Sequence, residues 1–122
     1  MSQTATVIPK PAIPYARVLG AVVEHLRKRR SINQEAMAKA IGVSQSAYSR
    51  LEKGQTAMSV VQLRAISAQL GLAPEAIVHN AELYAAQLQQ QGVSVTKESP
   101  DSAAGVLIAV GILAALLLAA KS

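Results

Sequence analysis

Residues 33–54 read NQEAMAKAIGVSQSAYSRLEKG, and the fold turns on how this stretch is parsed. Two short amphipathic segments flank Gly42. Asn33 is a good N-cap for the first, although Ala36 stands where a capping box would need Glu or Gln. That helix runs to Ile41, and Gly42 stops it. Val43 and Ser44 complete a turn, Ser44 caps the next helix, and Gly54 closes it after Lys53. The pattern predicts two helices joined by a tight turn, the sequence form of a helix-turn-helix. Met37, Ile41, Tyr48 and Leu51 read as its core side.

Working outward, residues 15–91 are helical in pattern, with no sustained period-2 alternation. A first helix is expected over 15–29, with Val18, Leu19, Val23 and Leu26 as its apolar stripe. Arg27, Lys28, Arg29 and Arg30 crowd its end, where cations suit the helix dipole. A fourth helix begins after Ser59, buries Val60, Leu63, Ile66 and Leu70, and stops at Gly71. A fifth runs from Pro74, a favoured first-turn proline, to about Gln91. Its stripe of Ile77, Ala81, Tyr84 and Leu88 either closes the core or forms a dimer seam.

The 122 residues suffice for one small domain with appendages. There is no Cys, which excludes disulfides and thiolate metal sites, and no Phe or Trp, so the core must be aliphatic. A net charge of +5 favours polyanionic partners, DNA or acidic lipid. Residues 1–14, polar and carrying Pro9, Pro11 and Pro14, read as a flexible arm without a signal sequence. Residues 92–102, GVSVTKESPDS, read as a linker with a reach on the order of 35–40 Å.

The composition then changes abruptly. Residues 103–120, AAGVLIAVGILAALLLAA, are eighteen apolar residues in a row. As a helix they would span roughly 27 Å, near the thickness of a bilayer core, and they are apolar on every side. The expectation is a single C-terminal transmembrane helix, the alternative a helix buried in an oligomer core. Nine Leu, Ile and Val side chains favour insertion by a few kcal/mol in all, at about 0.3–0.6 each. Gly111, Ala115 and Ala119 recur on one face, a spacing that lets helices approach closely.

Residues 17–72 resemble the Cro and phage-repressor class of domains, the XRE family. Asn33-Gln34-Glu35 is similar to that family's opening of helix two. Ala38 matches its small packing residue, Gly42-Val43-Ser44 its turn, and Leu51-Glu52-Lys53-Gly54 the close of its recognition helix. The resemblance implies an all-α, five-helix domain that places its second motif helix in the DNA major groove. It implies base contacts from Gln45, Ser46, Ser49 and Arg50, residue types that can read adenine and guanine edges. It implies phosphate contacts from Asn33, Gln34, Ser44 and Lys53, and a structural ion pair between Arg27 and Glu52. The loop Gln55-Thr56-Ala57-Met58 departs from the family pattern in lacking basic residues and proline.

Together these readings predict a sequence-specific DNA-binding transcriptional regulator of repressor type, homodimeric on a pseudo-palindromic site. It would be bacterial or phage-encoded and tethered to the inner membrane by a single span, with its N-terminal domain in the cytoplasm. Its partners would be double-stranded DNA, the lipid bilayer and a second copy. The competing expectation is a membrane-anchored adaptor or scaffold whose helical domain binds protein. No enzyme, cofactor or metal is expected. His25 and His79 lack carboxylate or Cys companions, no glycine belongs to a phosphate loop, and no Ser has a base partner.

Overall fold

The computed structural model describes residues 9–98, 100 and 102–120. The chain order is β1 (Ala12–Pro14), α1 (Tyr15–Arg29), α2 (Gln34–Ile41), α3 (Gln45–Glu52), α4 (Val60–Leu70), α5 (Pro74–Gln90), β2 (Ser94–Thr96) and α6 (Ala103–Ala119). The fold is mostly helical, with six helices rather than five plus a separate span.

Local chemistry sets the helix ends. Asn33 Oδ1 accepts from Ala36 N–H at 2.7 Å, and Ser44 Oγ accepts from Ala47 N–H at 3.1 Å. At α4, Ser59 and Gln62 form a reciprocal capping box. Gly42 ends α2 at φ 77°, a left-handed conformation that a Cβ would strain.

Helices α1 to α5 enclose one aliphatic core that includes Val18, Val22, Met37, Tyr48, Ile66 and Leu88. In α5, Ile77, Ala81 and Leu88 are fully buried inside it, with Ala85 completing the stripe and Tyr84 at its margin. Of the two alternatives for that stripe, it closes the domain and leaves no dimer seam.

Three expectations need correction. Residues 12–14 are not part of a flexible arm, and residues 94–96 are not an open linker. They pair as parallel strands, with Ala12 opposite Ser94, Ile13 opposite Val95 and Pro14 opposite Thr96. A two-stranded ribbon is marginal alone, but Ile13 and Val93 are buried in the core and hold it down. The part of the expected arm at residues 1–8 lies outside the described residues.

The third correction concerns the tail. No helix among the described residues is long and apolar enough to cross a membrane. At 17 residues α6 is about 26 Å long, at the lower limit of what spans the hydrocarbon core. It lies against β1, α1 and α5, and buries Gly105, Ala109 and Leu113 on the domain. Gly105 permits this docking, because a Cβ there would overlap the carbonyl oxygen of Lys10. The expected transmembrane helix and bilayer partner are not shown; α6 instead lies docked on the domain. One side of this all-round apolar helix is covered by the domain itself.

Candidate nucleic-acid interface

Helix α3 has two unlike faces. Tyr48, Leu51 and Glu52 are buried beneath it. Gln45, Ser46, Arg50 and Lys53 are exposed, with Ser49 partly so. Positions 45, 46, 49, 50 and 53 share one side because a helix repeats at three and four residues. The sequence-predicted base-contact set therefore lies together on one surface, with Lys53 at its C-terminal end.

The expected phosphate set is less uniform. Asn33 and Ser44 are exposed, but each uses its side-chain oxygen to cap its own helix. Ser44 Oγ also lies 3.3 Å from Ser46 Oγ. Gln34 is turned inward, and its NH2 donates to Glu52 Oε1 at 2.9 Å. One of its two amide hydrogens is thereby used inside the domain, leaving one donor for any outside ligand.

The surface is held by a buried polar cluster. Arg27 donates from Nε to Glu52 Oε2 at 2.6 Å and from a terminal nitrogen to Oε1 at 3.0 Å. Its other terminal nitrogen donates to the Ile32 carbonyl at 2.8 Å. Tyr48 Oη donates a short hydrogen bond to Glu52 Oε2. No buried side-chain polar atom lacks a partner among the described residues. Satisfaction of this kind is what makes a buried charge tolerable. Arg27 thus ties α1, the α1–α2 turn and α3 together.

Burial alone would raise the Glu52 carboxyl. The hydrogen bonds from Arg27, Tyr48 and Gln34 outweigh it and hold the group below its ordinary 4.5. Burial, then the bond to Glu52, pushes the Tyr48 phenol well up, so it remains a donor at neutral pH. A carboxyl with a depressed folded pKa adds stability that is complete above the unfolded value and disappears as pH falls through the folded one. Stability should therefore decline from about pH 4.5 downward. Thermal melts of the wild type and Glu52→Gln across pH 3 to 7 check this. The variant should show the shallower acid loss, and parallel profiles would remove Glu52 as the cause.

Two contributors carried no clear sequence signal. Arg17 donates to the Glu52 main-chain carbonyl at 3.3 Å, capping the end of α3 from the first turn of α1. Gly20, mid-α1, lies directly under the same carbonyl. Neither residue belongs to the 33–54 motif, so only the packing of α1 on α3 exposes them. A glycine inside a helix pattern was the one available hint, since it weakens a helix without a packing reason.

Because Glu52 is neutralised inside, α3 presents Arg50 and Lys53 with no exposed carboxylate of its own. The cations at the end of α1 are less available as a group. Arg27 is buried and Lys28 pairs with Glu24 at 2.9 Å. Among the described residues no cluster of His, Asp or Glu could hold a metal ion.

Residues 23–77 match the family model described as helix-turn-helix, in agreement with the α2–turn–α3 geometry. Among solved structures, the chain is similar to the clp gene regulator ClgR from Corynebacterium glutamicum, with a TM-score of 0.61 and 25% identity. That alignment covers 68% of this chain and 86% of the other. A second crystal structure of ClgR from C. glutamicum gives a TM-score of 0.53 at 25% identity, over 56% of this chain and 88% of that one. No curated protein matches the chain.

Proposed function

We propose that this protein is a transcription regulator that binds double-stranded DNA sequence-specifically through α3. The observation that carries the reading is the uncovered face of α3: Gln45, Ser46, Ser49 and Arg50 together, on a helix pinned from beneath by Arg27 and Glu52. The helix-turn-helix match and the likeness to a gene regulator support it. Gln45 and Arg50 have the donor and acceptor geometry to read adenine and guanine in the major groove. Lys53, Asn33, Ser44 and the remaining Gln34 donor would set register on the phosphates. Two copies would engage a pseudo-palindromic site with recognition helices about one DNA turn apart.

Selection from a random duplex pool, followed by titration at fixed salt, tests this. Gln45→Ala and Arg50→Ala should each weaken the selected site by about 1–3 kcal/mol and relax preference at one position. Lys53→Ala should weaken all sequences alike and reduce the salt slope by about one. A pool that yields no enriched sequence, with binding indifferent to both base-reading substitutions, would sink the proposal.

A further inference from the structure

Helix α6 is docked on one side only. Opposite Gly105, Ala109 and Leu113, the residues Ala104, Leu107, Ile108, Gly111, Ala114, Ala115 and Leu118 are all exposed. Leu107 and Leu118 are 73% and 77% exposed and Ile108 is 40% exposed, on a helix that has no charged residue. Their spacing of three, one, three, three, one and three is that of a helix seam.

The order of large and small residues along this seam has a centre. Leu107 and Ala115 are equidistant from Gly111, and so are Ile108 and Ala114, and Leu118 and Ala104. Each large side chain is mirrored by a small one. We propose that this face is a homodimer interface in which two copies of α6 pair antiparallel about a two-fold axis at Gly111. Leu107 then packs on Ala115 of the partner subunit, Ile108 on Ala114 of the partner subunit, and Leu118 on Ala104 of the partner subunit. Large on small across a seam is the arrangement that fills space without voids. A parallel pairing in register would instead set leucine against leucine and leave the alanines facing gaps. An isologous contact also needs only one self-complementary patch, which this face supplies.

The centre of the face is open, since a Cβ added at Gly111 meets no atom within 4 Å. The seven residues expose on the order of 500 Å² per copy, so pairing buries about 1,000 Å², the lower limit for a specific interface. All of it is apolar, so no charge is desolvated. Leu107 lines a cavity with Lys53 and Gln55 at the end of α3, so the pairing borders the DNA-reading face without using Gln45, Ser46, Ser49 or Arg50, and its test reads association without DNA.

The chain has no cysteine, so single substitutions report the geometry directly. In the antiparallel pair, position 111 faces itself, whereas the two copies of position 107 lie about 12 Å apart along the axis. Oxidation of the full-length Gly111→Cys protein should give a disulfide-linked dimer at least about tenfold faster than Leu107→Cys or Leu118→Cys. Sedimentation of the wild type should show a dimer at micromolar concentration that the double variant Leu107→Glu, Leu118→Glu converts to a folded monomer. Equal cross-linking at all three positions, or a wild type that stays monomeric, overturns the proposal. So does flotation of the wild type with phosphatidylglycerol vesicles as a monomer, lost in the double glutamate variant, which would assign the face to lipid.

Discussion

Arg27→Leu is expected to destabilise the fold by about 3–5 kcal/mol, because it leaves the Glu52 carboxylate buried without its counter-charge. Glu52 is 1% exposed and cannot turn to water without lifting α3. Tyr48 and Gln34 would still donate to it, but neutral donors do not replace two bonds from a guanidinium. The Ile32 carbonyl would also lose its partner, loosening the turn between α1 and α2. Urea unfolding measures the loss. The double variant Arg27→Leu, Glu52→Gln should regain at least about 1 kcal/mol, since it removes the stranded charge. If the single variant loses less than the double one, the stranded charge is not the source. The cluster also sets how α3 is presented, so the proposed function predicts weaker DNA binding by folded Arg27→Leu although Arg27 is buried away from the surface.

Gly20→Val should have an effect of similar size by a different route. A Cβ at this position would overlap the Glu52 carbonyl oxygen and lie 2.6 Å from that of Leu51. Both are main-chain atoms, so no side-chain rotation relieves the clash. Helix α1 would have to move off α3, and Arg17 would lose its hold on the same carbonyl. A cost of about 3 kcal/mol or more follows from overpacking against backbone. Gly20→Ala is the sharper test, since alanine is the better helix former by about 0.8–1 kcal/mol. An alanine variant that melts at or above the wild-type temperature would show that α1 and α3 can separate cheaply.

Both substitutions act at one crossing, and the sequence marks its two sides unequally. Arg27 and Glu52 could be paired by the resemblance of residues 17–72, which implies an ion pair between those two positions. Gly20 and Arg17 could not, since what matters there is a main-chain carbonyl delivered from about thirty residues away. The caps at Asn33 and Ser44 were legible because a cap is a contact between residues three apart. The pairing of β1 with β2 was not. Each strand is three residues long, and their partners are separated by the whole helical domain.

The apolar tail shows how much a correct local reading leaves open. Residues 103–119 do form a helix, and they are apolar on every side, as composition requires. Composition reports that such a helix must leave water, but it does not report what covers it. Gly105 and Ala109, which count little towards lipid insertion, are the residues that let the helix seat on the domain.

By itself, then, the sequence determined the helices from α1 to α5, the N-caps of α2 and α3 and the polar face of α3. All of these depend on residues within one or two turns of one another. The tertiary structure alone decided the strand pair, the close crossing of α1 and α3, the inward turn of Gln34, and which side of α6 remains uncovered. Each of those depends on a surface supplied by a distant part of the chain, and no local spacing encodes that surface.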